Sequence, residues 1–176
     1  MVGLGNPGDE YARTRHNVGF EVAELAAERW SLPRAKKKYA GLFTDGRTGP
    51  GGPRVGVLLP QTFMNDAGGS ASPARGDLRV PLARVVAVHD EIDLPFGEIQ
   101  VRLGGGLAGH NGLKSLKREL GSEEFHRVRV GVGRPDSTDP DIVSKYVLGR
   151  FQEPKEDVEA LVRRATDELE RLVTAA

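Results

Sequence analysis

The chain has 176 residues with 25 basic and 25 acidic side chains, so its formal net charge is zero; this excludes a generally polycationic nucleic-acid coat but leaves room for a local basic clamp. Apolar residues make up 38% and charged residues 28%, no apolar stretch approaches the ~20 residues that cross a bilayer, and zero cysteines remove disulfides, thiolate nucleophiles and Cys-ligated zinc together. With no basic and apolar signal segment at its start, the chain is expected to be a cytoplasmic protein forming one domain, residues 1–176.

In chain order, Met1 to Leu4 predicts a very short strand, and Val18, Val22, Leu25, Ala26 and Trp30 recur at helical spacing. Gly41 to Thr44 and Arg54 to Leu59 predict two strands, and the turn-rich Gly46 to Pro53 between them predicts a hairpin. Over Asp66 to Leu78, Gly68, Gly69, Pro73 and Gly76 each disfavour a helix interior, so a short, kinked or loose segment is expected. Arg84 to His89, Glu98 to Leu103 and Arg127 to Val132 predict further strands, with a helix marked by Leu113, Leu116 and Leu120. Pro154 suits the first turn of a final helix that carries Glu156 and Asp157 near its positive end and packs through Val158 to Leu172. Strands alternating with helices predict an α/β fold, three α/β/α layers around a mixed, largely parallel twisted sheet.

Unusual polar residues follow the predicted strands: Asn6 and His16 the first, Asn65 the one ending at Leu59, Asp90 the next, and His110 with Asn111 the one ending at Leu103. Residues beyond the carboxyl ends of strands converge on one crevice in an open α/β sheet. His16 lies just before a helix with Asn17 as its N-cap, where the helix dipole favours a neutral ring that can take a proton from water. Asp90 can hold the other ring nitrogen, which is how a carboxylate supports a histidine base. Taken singly, His16 reads as a helix cap, Asp90 as a turn cap, and each asparagine as a turn former. Together, Asn6, Asn65 and Asn111 offer amides suited to an ester carbonyl or its oxyanion. Neither glycine-rich segment meets a nucleotide-binding fingerprint: residues 104–112 lack the phosphate-loop lysine, and Pro7 interrupts the one at 2–8. Asp90, Glu91 and Asp93 read as solvated acids rather than a metal site. No serine lies in a nucleophile elbow, so activated water is the simplest attacking group.

These residues fall in longer motifs. Val2-Gly3-Leu4-Gly5-Asn6-Pro7-Gly8, Tyr11 and Thr14-Arg15-His16-Asn17-Val18-Gly19-Phe20 resemble the opening signature of bacterial-type peptidyl-tRNA hydrolases. Thr62-Phe63-Met64-Asn65, His89-Asp90-Glu91-Ile92-Asp93-Leu94-Pro95, Gly109-His110-Asn111-Gly112-Leu113-Lys114, residues 127–133 and Tyr146-Val147-Leu148-Gly149 continue the resemblance in order over nearly the whole chain. It implies a monomeric hydrolase, without metal or cofactor, membrane contact or obligate protein partner, that cleaves the ester between a peptide and the terminal ribose of its tRNA. His16 is then the base and Asp90 its orienter. Asn6, Asn65 and Asn111 position peptide, water or oxyanion, while Tyr11, Met64 and His110 line the substrate crevice. The same resemblance gives Arg102 and Arg129 to the tRNA 5′-phosphate, within a segment, residues 102–134, holding seven basic and three acidic side chains. The competing reading for Arg127 and Arg129 is the solvated face of a strand. Lys36, Lys37 and Lys38 read as either an RNA contact or soluble surface.

Two further expectations accompany the resemblance. Relatives carry several residues before the first glycine motif, so this start is short or truncated, with a marginal first strand. Related chloroplast splicing factors bind RNA without established turnover, which leaves a catalytically silent RNA-binding protein as the second reading.

Overall fold

A computed structural model gives the structure of the protein and describes residues 1–175. Its seven strands are β1 Val2–Gly3, β2 Lys36–Lys38, β3 Gly41–Arg47, β4 Arg54–Pro60, β5 Val86–Glu91, β6 Ile99–Leu103 and β7 His126–Gly131. They form one mixed sheet in the order β2-β3-β4-β1-β5-β7-β6. The strands β4, β1, β5 and β7 run parallel, and β2, β3 and β6 are antiparallel to their neighbours. The expected hairpin is β3–β4, in register from Gly41 opposite Pro60 to Arg47 opposite Arg54. Although only two residues long, β1 is a central strand held by β4 on one side and β5 on the other.

Helices cover both faces, which produces the expected three layers. On one face α1 Val18–Arg29 and α5 Lys155–Thr174 enclose a core with Val57, Val86, Val88, Val128, Val130, Leu161 and Leu169. On the other, α2 Gly68–Leu78 and α3 Asn111–Leu120 pack with Leu4, Leu58, Leu113, Leu116 and Phe125. Among the described residues no helix is long and apolar enough to cross a membrane.

Besides β2, for which no strand is expected, three elements differ from expectation. First, α2 is a continuous eleven-residue helix with Pro73 inside it. Its small residues let it lie almost in contact with α3: a Cβ on Gly68 would stand 2.3 Å from the Ser115 carbonyl oxygen, and the Gly68 amide donates to Ser115 Oγ at 2.8 Å. Tertiary packing here outweighs poor propensity. Second, β5 runs on through Asp90 and Glu91 because β7 pairs with it as far as Gly131. Third, α4 Pro140–Val147 is not among the predicted elements, although Ile142, Val143, Tyr146 and Val147 fall at helical spacing. It is capped by Asp139, whose carboxylate accepts from the Asp141 amide.

Candidate active site

The first parallel strands come together because glycine lets a helix approach the sheet closely. A Cβ on Gly19 would lie 2.3 Å from the Val88 carbonyl oxygen and 2.6 Å from that of Leu4. This contact brings the 3-10 turn Arg15–Asn17 over the end of β5. Asn17 does not cap α1 with its side chain, contrary to expectation. Its Oδ1 accepts from the Asn6 amide at 2.8 Å and its Nδ2 donates to the Asn6 carbonyl at 2.9 Å. Asn6 Oδ1 in turn accepts from the Met64 amide at 2.7 Å, so the Asn6 Nδ2 donor is the half of that amide left for a ligand.

The fourth arm of the site arrives by a different route from the others. Since β6 is antiparallel, Leu103 ends opposite His126, at the far end of the sheet from Glu91. Residues 104–110 must therefore travel back along the sheet to deliver His110. Gly104 and Gly105, at φ of +68° and +98°, make the sharp departure. Arg127 holds the returning chain. The residue is 1% exposed, and its guanidinium lies over the Phe125 ring and donates to the carbonyls of Gly106 and Glu123. Arg127 is thus a buried strut rather than the solvated face of a strand. Burial, then the charges of Arg129 and Arg102, lower its pKa against the opposing pull of Glu123.

Three histidines surround Asp90. The Nδ1 of His16 lies 3.0 and 2.9 Å from the two carboxylate oxygens, and His110 Nε2 lies 2.8 Å from Oδ1. His110 Nδ1 accepts from the amides of Gly112 and Leu113 at 3.1 and 3.3 Å, capping α3 with a ring nitrogen. That acceptor role places the His110 proton on Nε2, where it donates to Asp90. His16 donates its own Nδ1 proton to the same carboxylate, which leaves its Nε2 lone pair on the crevice. His89 packs edge-on to His110, with centroids 5.0 Å apart, and sets Nδ1 2.8 Å from the Asp90 carbonyl. The ligand atoms of His16, Asp90 and His110 are close enough together to hold a cation, but a protonated His110 Nε2 has no lone pair to give it.

Electrostatics follow from burial and these contacts. Burial pushes the His16 imidazole down, but the Asp90 charge and hydrogen bond outweigh it and the net shift is upward. The direction is opposite to the downward pull expected of the helix dipole. Burial opposes ionisation of Asp90, yet His16 and His110 hold it far below the usual carboxylate range. His89, pushed down to about 3 first by burial and then by His110, stays neutral. Glu91 too is buried, so two of the three acids expected to be solvated are inside the protein.

The crevice encloses about 700 Å³ and is lined by Asn6, His16, Met64, Asn65, Asp90, His110 and Asn111. Seven of the expected groups therefore meet in one place. Tyr11, expected to line it as well, is not among the lining residues and lies edge-on to Phe63 at 6.5 Å. Phe63 itself lines the crevice at 58% exposure, an apolar display that hydrophobic periodicity gave no reason to single out. Lys114 and the α4 residues Val143, Ser144 and Val147 complete the wall. Arg15 anchors that wall: it lies 3.8 Å over the Tyr146 ring and donates to the Tyr146 carbonyl, while Tyr146 donates its hydroxyl to Val132. Arg102 and Arg129 lie outside the crevice, on one face of the β6–β7 ladder.

Fold and crevice together define an α/β enzyme of hydrolytic type. The chain belongs to the peptidyl-tRNA hydrolase family, whose model, described as peptidyl-tRNA hydrolase, matches residues 1–176. It is 45% identical to the peptidyl-tRNA hydrolase of Geobacillus kaustophilus over 176 residues, 99% of this chain and 92% of that one. To the Streptomyces avermitilis peptidyl-tRNA hydrolase it is 47% identical over 179 residues, 98% of this chain and 86% of the other. The crystal structure of Acinetobacter baumannii peptidyl-tRNA hydrolase superposes with a TM-score of 0.85 at 36% identity, covering 98% of this chain and 86% of that one. Nothing in these comparisons supports the splicing-factor reading.

Proposed function

We propose that the protein hydrolyses the ester joining a peptide to the terminal ribose of tRNA, with His16 as general base. The observation that carries this reading is the pair of N–H donors, from His16 and His110, on one buried carboxylate. They fix His16 with an open Nε2 facing the amides of the crevice. Water gives a proton to Nε2 and its oxygen attacks the ester carbonyl. Asn6 Nδ2, with the amides of Asn65 and Asn111, receives the charge that develops on the carbonyl oxygen. Collapse breaks the carbon–oxygen ester bond, the ribose oxygen takes the proton back from His16, and peptide acid and free tRNA leave. Phe63 and Met64 give the peptide an apolar surface.

Arg102 and Arg129 are assigned to the 5′-phosphate of the tRNA, on the support that both are arginine and share one face of the β6–β7 ladder. Every group the reaction needs comes from one chain, which supports a monomer as the working unit, and a substrate made by ribosomes supports a cytoplasmic role. The test is release of free tRNA from peptidyl-tRNA. Wild-type protein is expected to turn over, and His16→Ala to lose about 10²- to 10⁴-fold in rate while still binding tRNA. Folded protein that leaves the ester intact would overturn the reading.

A further inference from the structure

Consecutive residues of a strand face opposite sides of the sheet, and β5 uses this to serve two purposes at once. Asp90 turns toward His16. Glu91, next along, borders the crevice as well, but its carboxylate is turned to Arg129 of β7. Its Oε1 accepts from Arg129 Nε at 2.9 Å and Nη2 at 2.7 Å, and its Oε2 accepts from the Asp93 amide at 3.2 Å. Arg129 Nη1 donates to Gln100, its cross-strand neighbour on β6. The two charged side chains are only 4% and 14% exposed. A guanidinium has five N–H groups; three are engaged here, and one remains on each of Nη1 and Nη2. Arg102, two residues along from Gln100 on the same face, is exposed and makes no hydrogen bond or ion pair among the described residues.

We propose that Glu91 is a positioning residue for tRNA recognition: it fixes Arg129 in advance so that the remaining N–H groups of its guanidinium meet a terminal phosphate monoester, while the free Arg102 closes on it. This rests on the phosphate reading of Arg102 and Arg129. Preorganisation of this kind removes the ordering of a long side chain from the cost of binding. It also makes a prediction opposite in sign to simple charge. Deleting a carboxylate beside an anion site should tighten anion binding by electrostatics alone, whereas losing the positioning contact should weaken it.

The experiment compares peptidyl-tRNA carrying a 5′-phosphate, the same molecule with a 5′-hydroxyl, and a short peptidyl-oligonucleotide that lacks this end. Wild-type protein is expected to show a KM about tenfold lower for the phosphorylated substrate, the worth of a charge-assisted contact, at equal kcat. In Glu91→Gln that preference should fall to about twofold or less through a raised KM, with kcat and short-substrate turnover unchanged. Short-substrate turnover equal to wild type certifies folding. Glu91→Gln that keeps the full preference overturns the inference, as does a tightened KM. Should Glu91→Gln not fold, Glu91→Asp decides, because it keeps the charge but shortens the reach of the carboxylate to Arg129. Partial loss of the preference is expected, and an unchanged preference overturns the inference. A wild-type protein indifferent to the 5′ end would instead overturn the phosphate reading itself.

Discussion

His110 and Asp90 are joined so that the start of α3 reaches the candidate base through a single ring. The His110 Nδ1 receives two α3 amides while its Nε2 proton lies 2.8 Å from Asp90 Oδ1. The resemblance assigned His110 to the substrate crevice, and its ring does line it, but both its nitrogens are engaged within the protein. Two substitutions separate the consequences. His110→Asn keeps an N-cap acceptor and loses reach to Asp90; His110→Ala loses both, costing a further ~0.5–2 kcal/mol of stability.

With one donor gone, the Asp90 charge falls more fully on His16 and favours its protonated form. Since the base must be neutral to act, the rising limb of kcat/KM against pH should move upward in both variants. In wild type that limb is expected above the ordinary imidazole value, because the contact with Asp90 raises the His16 pKa. A pH–rate profile for the three proteins checks this, and an unshifted limb in His110→Asn would assign His110 to packing alone.

Much of this site was legible in the sequence because strand ends are punctuated by polar residues that a core would not tolerate. His16, Asn6, Asn65, Asp90, His110 and Asn111 stand out for that reason, and all of them line the crevice. What the sequence hid was long-range. Arg15 and Tyr146 meet across 131 residues, and the burial of Arg127 depends on a loop that climbs the sheet. The strand Lys36–Lys38 exists only because β3 pairs with it; three adjacent lysines carry no apolar alternation to announce a strand.

Helix α2 gives the sharpest case, since glycine disfavours a helix interior and yet two of its glycines stand in opposite surroundings. Gly68 is required by contact with Ser115, whereas a Cβ on Gly69 meets nothing within 4 Å. Gly68→Ala should cost about 1–3 kcal/mol through overpacking, and Gly69→Ala should gain about 0.5–1 kcal/mol from reduced backbone entropy. Thermal or urea unfolding of the pair measures both. Equal effects would mean that helix propensity, and not the α2–α3 approach, governs this segment.

Asn65 and Asn111 differ from Asn6 in how they are held. Asn6 is built into the fold through Met64 and Asn17, while the side-chain amides of the other two make no hydrogen bond among the described residues and are exposed. Asn65→Ala and Asn111→Ala should therefore leave the stability almost unchanged, within about 0.5 kcal/mol. An oxyanion donor lost should lower kcat by about 10²- to 10³-fold, and a group that only places the peptide should raise KM instead. Asn6→Ala is expected to combine a kcat loss with a lowered melting temperature. Calorimetry beside steady-state kinetics on the three variants separates the roles.

Glu21 on α1 carries a stability cost remote from the chemistry. Burial, with Glu24 adding and Arg13 opposing, pushes its carboxyl up to about 7, and its Oε2 is buried without a hydrogen-bond partner. A carboxyl whose folded pKa exceeds its unfolded value binds more protons in the folded state, so stability declines as pH rises through the interval between them. That interval runs from 4.5 to about 7, and above it the whole penalty is present. Glu21→Gln removes the charge and should stabilise the protein at about pH 8 by roughly 1–3 kcal/mol, with about 2–4 °C in Tm for each kcal/mol. At about pH 3.5, below both values, the wild-type carboxyl is largely protonated in both states, and the two proteins should melt together. Melting curves at the two pH values check the sign, and a variant that melts lower than wild type at the higher pH would show that ionised Glu21 is satisfied by its surroundings.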